Sequence, residues 1–255
     1  MKKNKKTESS VKKENFNSIL VATSIGPNRI EIQRSAINTW ITAGLNVVSL
    51  NTKEEVDKLK PYFPDIEFRV VERNAKEKYG KPYIYIYDIM SYLKSTDYKV
   101  VGIINSDIQF RDLEKGLVKI IYKEALDSLV YGHRLDVKHI NDSYGTLSNG
   151  VDYFFINKYL LHIYQDDGLC MGRPAWDWWM VCVLASKNIP TKRILNPLGF
   201  HVTHPQQWNE NLNQDLIESI VKKKYLSKMY PGLNSYELNS KMWEIVISKN
   251  GIIIK

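Results

Sequence analysis

The sequence predicts an α/β fold, a single domain with a mostly parallel central sheet flanked by helices and preceded by a basic tail. Three observations carry that prediction. Apolar strand-like runs alternate with helix-period segments along the first half of the chain. The segments joining those runs are helical crossovers, which parallel strands require and hairpins do not. One run, Val100-Val101-Gly102-Ile103-Ile104, leads without a charge into Asn105-Ser106-Asp107, as a strand buried on both faces does when it delivers polar side chains to a sheet end. A chain of 255 residues has room for one large core, or a core and a small appendage.

Residues 1–16 carry no periodicity and almost no large apolar residue, so they are expected to be a disordered basic tail. Ser18 to Thr23 is the first strand, and Ser24-Ile25-Gly26-Pro27-Asn28-Arg29 is the loop it empties into. Ile30, Ile37, Trp40 and Ile41 then share one face of a helix that Gly44 stops. Leu45 to Leu50 is the second strand and ends at Asn51-Thr52. Thr52 suits an N-cap for a helix over 53–60, with Glu55 at the capping-box position. A third strand covers Glu67 to Val71. In Tyr83 to Leu93 the Tyr/Ile alternation is strand-like, but Pro82 at the start and Ile86, Met90 and Leu93 at helical spacing favour a helix. That reading also supplies the crossover into the Val100 strand.

Beyond Asp107 the pattern predicts a helix over 112–126, a strand over 128–134 and a polar loop over 136–149. A buried strand with one embedded carboxylate, Asp152, covers 150–156. A Gly-containing loop over 164–175 precedes a helix that begins at Trp176-Asp177-Trp178-Trp179. A short strand over 199–205 hands His204 to a loop. In the remainder, 208–255, a helical stretch around 215–226 and a strand-like end at Trp243 to Ile247 form an extension packed on the domain.

Composition excludes several classes. The apolar and charged fractions, 44% and 25%, are ordinary for a globular protein. No window has the length of a membrane span and no apolar signal core follows the basic start, so a cytoplasmic location is expected. Cys170 and Cys182 lack metal or redox-motif spacing and read as buried thiols of a reducing compartment. Six lysines against two glutamates in the first fourteen residues account for half of the formal charge of +8. The rest is only mildly basic, which argues against a nucleic-acid partner. Such a tail reads first as a solvated segment without a function, with peripheral contact at the inner face of an anionic membrane as the alternative.

Phosphate-binding glycine motifs are absent: there is no Walker A sequence and no GxGxxG after the first strand, nor any GxSxG or HExxH. Three constellations remain. Asn105 and Asp107 are two apart, so in extended backbone they point the same way, beyond the sheet end where α/β proteins bind ligands. Both a plain turn and a hard-cation site fit the triplet Asn105-Ser106-Asp107. Asp177 lies in the first turn of a helix, where the macrodipole stabilises a carboxylate; Trp176 and Trp178 around it equally make a wall for a sugar ring. His201 and His204 are three apart, so on a strand they face opposite ways and at most one reaches a site.

In their order these elements resemble the glycosyltransferases of the GT-A fold, over residues 17–207. The resemblance implies a nucleotide-sugar donor, a UDP-sugar by preference, a glycan or glycoconjugate acceptor, and Mn²⁺ or Mg²⁺ at the diphosphate. It implies that Asp107 and His204 bind that metal, with Asn105 standing where the family has its first Asp, beside Ser106. Asp177 would be the acidic residue at the acceptor, a base on its hydroxyl if transfer inverts the anomeric centre and a group that positions acceptor or donor sugar if transfer retains it. Thr23, Ser24, Arg29 and Asn51 would form the nucleoside pocket, and Lys81 would approach the nucleotide sugar. Arg134 and Asp152 are secondary candidates for sugar contacts, against a purely structural role for each. The departure at Asn105 leaves one carboxylate in the triplet, which weakens the expected metal dependence. Two other readings compete: a sugar-phosphate nucleotidyltransferase, disfavoured because the first loop has a single Gly, and a non-catalytic glycan- or nucleotide-binding module with a degenerate metal site.

Overall fold

Strand β1 (Ile19–Thr23) is buried along its whole length, and so is β4 (Val100–Ile104), which pairs with it in parallel. Their alternating side chains divide the core. Leu20, Ala22, Val101 and Ile103 enter one apolar layer, whereas Ile19, Val21, Val100 and Ile104 enter the other. This two-sided burial is why both strands read as continuous apolar runs. The computed structural model describes residues 18–205, 210–247 and 251–253. The predicted tail lies outside the described residues, as does the start of the predicted C-terminal extension.

The elements follow the sequence closely in the first half: α1 (Ile30–Ala43), β2 (Asn46–Asn51), α2 (Lys53–Leu59), β3 (Glu67–Val70), a single turn α3 (Lys76–Tyr79) and α4 (Ile86–Ser95). Gly44 ends α1 in the left-handed conformation at φ 93°. Thr52 and Glu55 form the expected capping box on α2. The predicted helix from residue 83 begins at Ile86, because the Ile86 amide donates to the Leu169 carbonyl and the Met171 amide to the Ile84 carbonyl, a bridge between Tyr85 and Cys170 that holds the segment before the helix extended. After β4 come β5 (Ile108–Phe110), α5 (Lys115–Glu124), β6 (Leu129–Val137), β7 (Thr146–Asn157), α6 (Trp176–Ala185) and β8 (Thr191–Val202). The sheet order is β3-β2-β1-β4-β7-β6-β8-β5, and β9 (Gly251–Ile252) pairs with β8. Five of the strand pairs are parallel; β7 against β4 and β6, and β5 against β8, are antiparallel.

Three expectations are corrected. The loop predicted over 136–149 shortens to 138–145, because Asp136 and Val137 end β6 and Thr146 to Asn149 begin β7, lengthening the β6–β7 hairpin at both sides of the turn. The short strand predicted at 199–205 is the end of β8, a twelve-residue strand. The strand-like Trp243 to Ile247 lies in a helix, α9 (Ser235–Val246), capped by Asn234 with Glu237; Leu238, Met242 and Val246 recur every four residues and form its buried stripe.

The C-terminal helices cover the sheet. α7 (Glu210–Leu216) runs through a π-helical stretch (Ile217–Leu226) into a last turn, α8 (Ser227–Met229). The π-helical stretch and α9 both pack on α6, which is why α6 is apolar nearly all round. Among the described residues no helix is long and apolar enough to cross a membrane.

Gly102 shows how tightly β4 fits. A Cβ there would lie 2.7 Å from the Phe154 carbonyl oxygen and 2.9 Å from Val21 Cγ1. Backbone on one side cannot yield, so Gly102→Ala is expected to lower unfolding stability by about 3 kcal/mol in a denaturant titration.

Candidate active site

The C-terminal ends of β1, β4, β6 and β8, with the facing part of β7, open into one cleft of about 1120 Å³. This is where a parallel sheet leaves strand ends uncovered. Ser24, Arg29, Lys81, Asn105, Ser106, Asp107, Arg134, Asp152, Trp176, Asp177, Trp178 and His204 all line it. Thr23 and Asn51 do not. Both are fully buried, and Asn51 instead donates to the Ile25 carbonyl at 2.9 Å, fixing the first loop from behind. The nucleoside-pocket expectation is corrected at these two positions: they lie on the inner face of the wall.

Asp107 is the hub. Its Oδ2 accepts from Arg29 Nη2 at 2.9 Å and lies 3.6 Å from His201 Nε2 and 3.5 Å from His204 Nε2. One carboxylate oxygen and two imidazole nitrogens here lie within 4.8 Å of one another. Burial alone would raise the Asp107 carboxyl, but the two histidines and Arg29 hold it well below the usual range. His201 also meets Asp136 Oδ1 through Nδ1 at 2.9 Å. Burial opposes charge on that ring, yet the two carboxylates prevail and raise it to about 9. The expectation that only one of the two histidines faces the site is corrected. β8 stops at Val202, so the strand rule no longer governs His204, and the rings converge with centroids 5.0 Å apart.

A second chain of contacts links the triplet to β7 and β6. Asn105 donates to Asp152 Oδ1 at 2.6 Å, and Asp152 Oδ2 accepts from Arg134 at 2.7 Å. Arg134 also donates to Asp136 at 2.9 Å, closing a path from Asn105 to His201. Asn105 thus braces a neighbouring carboxylate. Asp177 opens α6 after Ala175, which adopts φ 74°, and accepts weakly from the Val151 amide at 3.4 Å. Burial first, then the nearby Asp152 carboxylate, push its carboxyl from 3.8 up to about 7. Trp176 packs on Phe154 at 5.3 Å and Trp178 on Trp243 at 4.5 Å, so both indoles are fixed in the wall.

Three lining residues escaped the sequence reading of the site. Gln33, almost fully buried, accepts from the Gly26 amide at 2.8 Å and from Ser106 Oγ at 2.6 Å, tying the first loop to the triplet. Its signal was available: it sits between Ile30 and Ile37 on the apolar stripe of α1. Asp136 falls in the loop the sequence predicts over 136–149, although the alternation of Arg134 to Val137 marks it as a strand position. Arg173 sits in the glycine-containing loop and had no signal beyond its neighbours.

No protein-family model matches this chain, and no curated protein matches it in sequence. Among solved structures the fold is similar to that of S. aureus TarS residues 1–349, determined in complex with UDP-GlcNAc. The TM-score is 0.56 over 90% of this chain and 71% of that one, at 13% sequence identity. At that identity the likeness establishes the fold, a GT-A-like α/β domain with a mostly parallel sheet flanked by helices.

Proposed function

We propose that this protein is a glycosyltransferase that moves a sugar from a nucleotide-sugar donor to a hydroxyl of a glycan or glycoconjugate, as in surface polysaccharide synthesis. One observation carries the reading. A single cleft at the strand ends holds both an Asp107–His201–His204 cluster and a half-buried carboxyl, Asp177, poised near neutrality. TarS shares the fold and was solved with UDP-GlcNAc, which supports a UDP-sugar as donor here.

The donor set of one carboxylate oxygen and two imidazole nitrogens fits Mn²⁺ better than Mg²⁺, because Mg²⁺ favours an all-oxygen shell. Asp107, His201 and His204 would hold the ion; when bound, it supplies positive charge to the leaving diphosphate. Arg29, already at the Asp107 carboxylate, brings a guanidinium to the same place.

Asp177 acts on the other side. At neutral pH about half of a carboxyl with its pKa is ionised, which suits a general base. It takes the acceptor proton as that oxygen bonds to the anomeric carbon. The bond from that carbon to the diphosphate oxygen breaks, its electron pair leaves with the phosphate, and the configuration inverts. The half-buried indole of Trp178, fixed against Trp243, orients the sugar rings, and the buried Trp176, packed on Phe154, supports the wall. Arg134, Asp152 and Asn105 keep the wall rigid and keep a carboxylate near Asp177.

The test is a thermal-shift series with UDP, GDP, CDP, ADP and CMP, each with Mn²⁺, with Mg²⁺ and with EDTA. At a hundredfold excess over Kd a native-state ligand adds about 2.7 kcal/mol of stability. UDP with Mn²⁺ is expected to raise the melting temperature and UDP in EDTA is not. Absence of any nucleotide shift would overturn the proposal.

A further inference from the structure

The cations of the cleft differ in their partners. Arg29 is paired with Asp107, and Arg134 with Asp152 and Asp136. Arg173 makes no ion pair among the described residues, and its Nε is buried without a hydrogen-bond partner. Aromatic rings hold it instead. Its guanidinium carbon lies 4.4 Å from the Tyr79 ring centroid and 5.3 Å from that of Tyr83. The backbone carries the same arrangement, since Gly172 at φ 76° brings the loop close enough for a Cβ to lie 3.5 Å from the Tyr83 ring.

A guanidinium stacked on aromatic faces keeps its planar fork oriented, and with no carboxylate across from it the fork remains open to an anion. Phosphate matches that fork in two parallel hydrogen bonds. Room exists as well. The cleft, about 1120 Å³, exceeds the 300–1,000 Å³ or so that one small ligand fills. Arg173 stands four residues before Asp177, on the loop leading into α6, and Lys81 lines the same cleft beside Tyr83.

We infer that Arg173, held by Tyr79 and Tyr83, is a phosphate-recognition residue of this cleft, set apart from the Asp107–His201–His204 cluster. The inference rests on the glycosyltransferase reading for its place in the reaction. The phosphate is either the donor's diphosphate or a phosphate group carried by the acceptor. In the second case the substrate class narrows to a phosphorylated glycan.

The experiment titrates inorganic phosphate into the protein in EDTA, where no metal joins phosphate to Asp107, and compares wild type with Arg173→Gln by calorimetry. Binding to wild type and at least tenfold weaker binding to Arg173→Gln is expected. Equal affinity in both, or no phosphate binding to wild type, overturns the inference. Should Arg173→Gln not fold, Arg173→Lys is read in its place: it keeps the charge but not the planar fork, and wild-type phosphate affinity in it overturns the inference. UDP with Mn²⁺ then separates the two sources. UDP affinity that also falls tenfold in Arg173→Gln assigns the phosphate to the donor. Unchanged UDP affinity, with phosphate still binding the UDP-loaded wild type, assigns it to the acceptor. If UDP binds neither protein, the glycosyltransferase reading fails while the phosphate result stands.

Discussion

Asp177→Asn is expected to lower the rate of sugar transfer about a thousandfold, the usual contribution of a general base, while nucleotide affinity stays within a factor of two or so. The wild-type kcat/KM should rise with pH through about 7 and then level off, because only the ionised carboxyl accepts the proton. The same substitution has an opposite effect on stability. In the folded protein the carboxyl is raised from 3.8 to about 7, so the neutral form is favoured there and ionisation opposes folding. That penalty is absent below about pH 4, grows between 4 and 7, and is complete above 7. At about 1.4 kcal/mol per pKa unit it reaches roughly 4 kcal/mol at most. Asn cannot ionise, so the variant should melt higher than wild type at pH 8 and no higher at pH 4. A variant that keeps full activity would remove Asp177 from the chemistry. An inactive variant without the pH-8 gain would instead point to lost packing.

Asp107→Asn should be as damaging to turnover and should differ in every binding readout. Its carboxylate oxygen is the only anionic atom in the Asp107–His201–His204 cluster, and Arg29 and both imidazoles converge on it. Removing it takes away the charge that would attract a divalent ion. Mn²⁺ affinity, measured by calorimetry, should therefore fall at least about a hundredfold, beyond what losing a supporting residue costs. The Mn²⁺-dependent melting shift with UDP should vanish and transfer should fall about a thousandfold or more. Unaltered Mn²⁺ affinity in this variant would show that the cluster is an ion-pair network alone, with Arg29 as its cation.

Local physics made the first half of the chain readable. Continuous apolar runs at β1 and β4 could only be strands buried on both faces, and Thr52 with Glu55 announced the start of α2. The second half was harder, since its signals conflicted over a few residues. Trp243 to Ile247 is apolar enough to read as a strand, and only the four-residue spacing of Leu238, Met242 and Val246, with the Asn234 cap, identifies α9. The break between β4 and β5 was hidden as well. Ile108 to Phe110 continues the apolar pattern, but pairs with β8 on the far side of the sheet.

The site divides along the same line. By itself the sequence determined that Asn105, Ser106 and Asp107 end a buried parallel strand and that Asp177 opens a helix, because strand burial and helix starts depend on residues adjacent in the chain. Tertiary structure decided everything that depends on distant residues meeting. The β8 end turned both His201 and His204 toward Asp107; desolvation raised Asp177, and Asp152, brought beside β4 by β7, took Asn105 as its partner and added to that rise; and Thr23 and Asn51 went behind the wall. Charge and burial are sums over neighbours from every strand end. No spacing along one chain contains them.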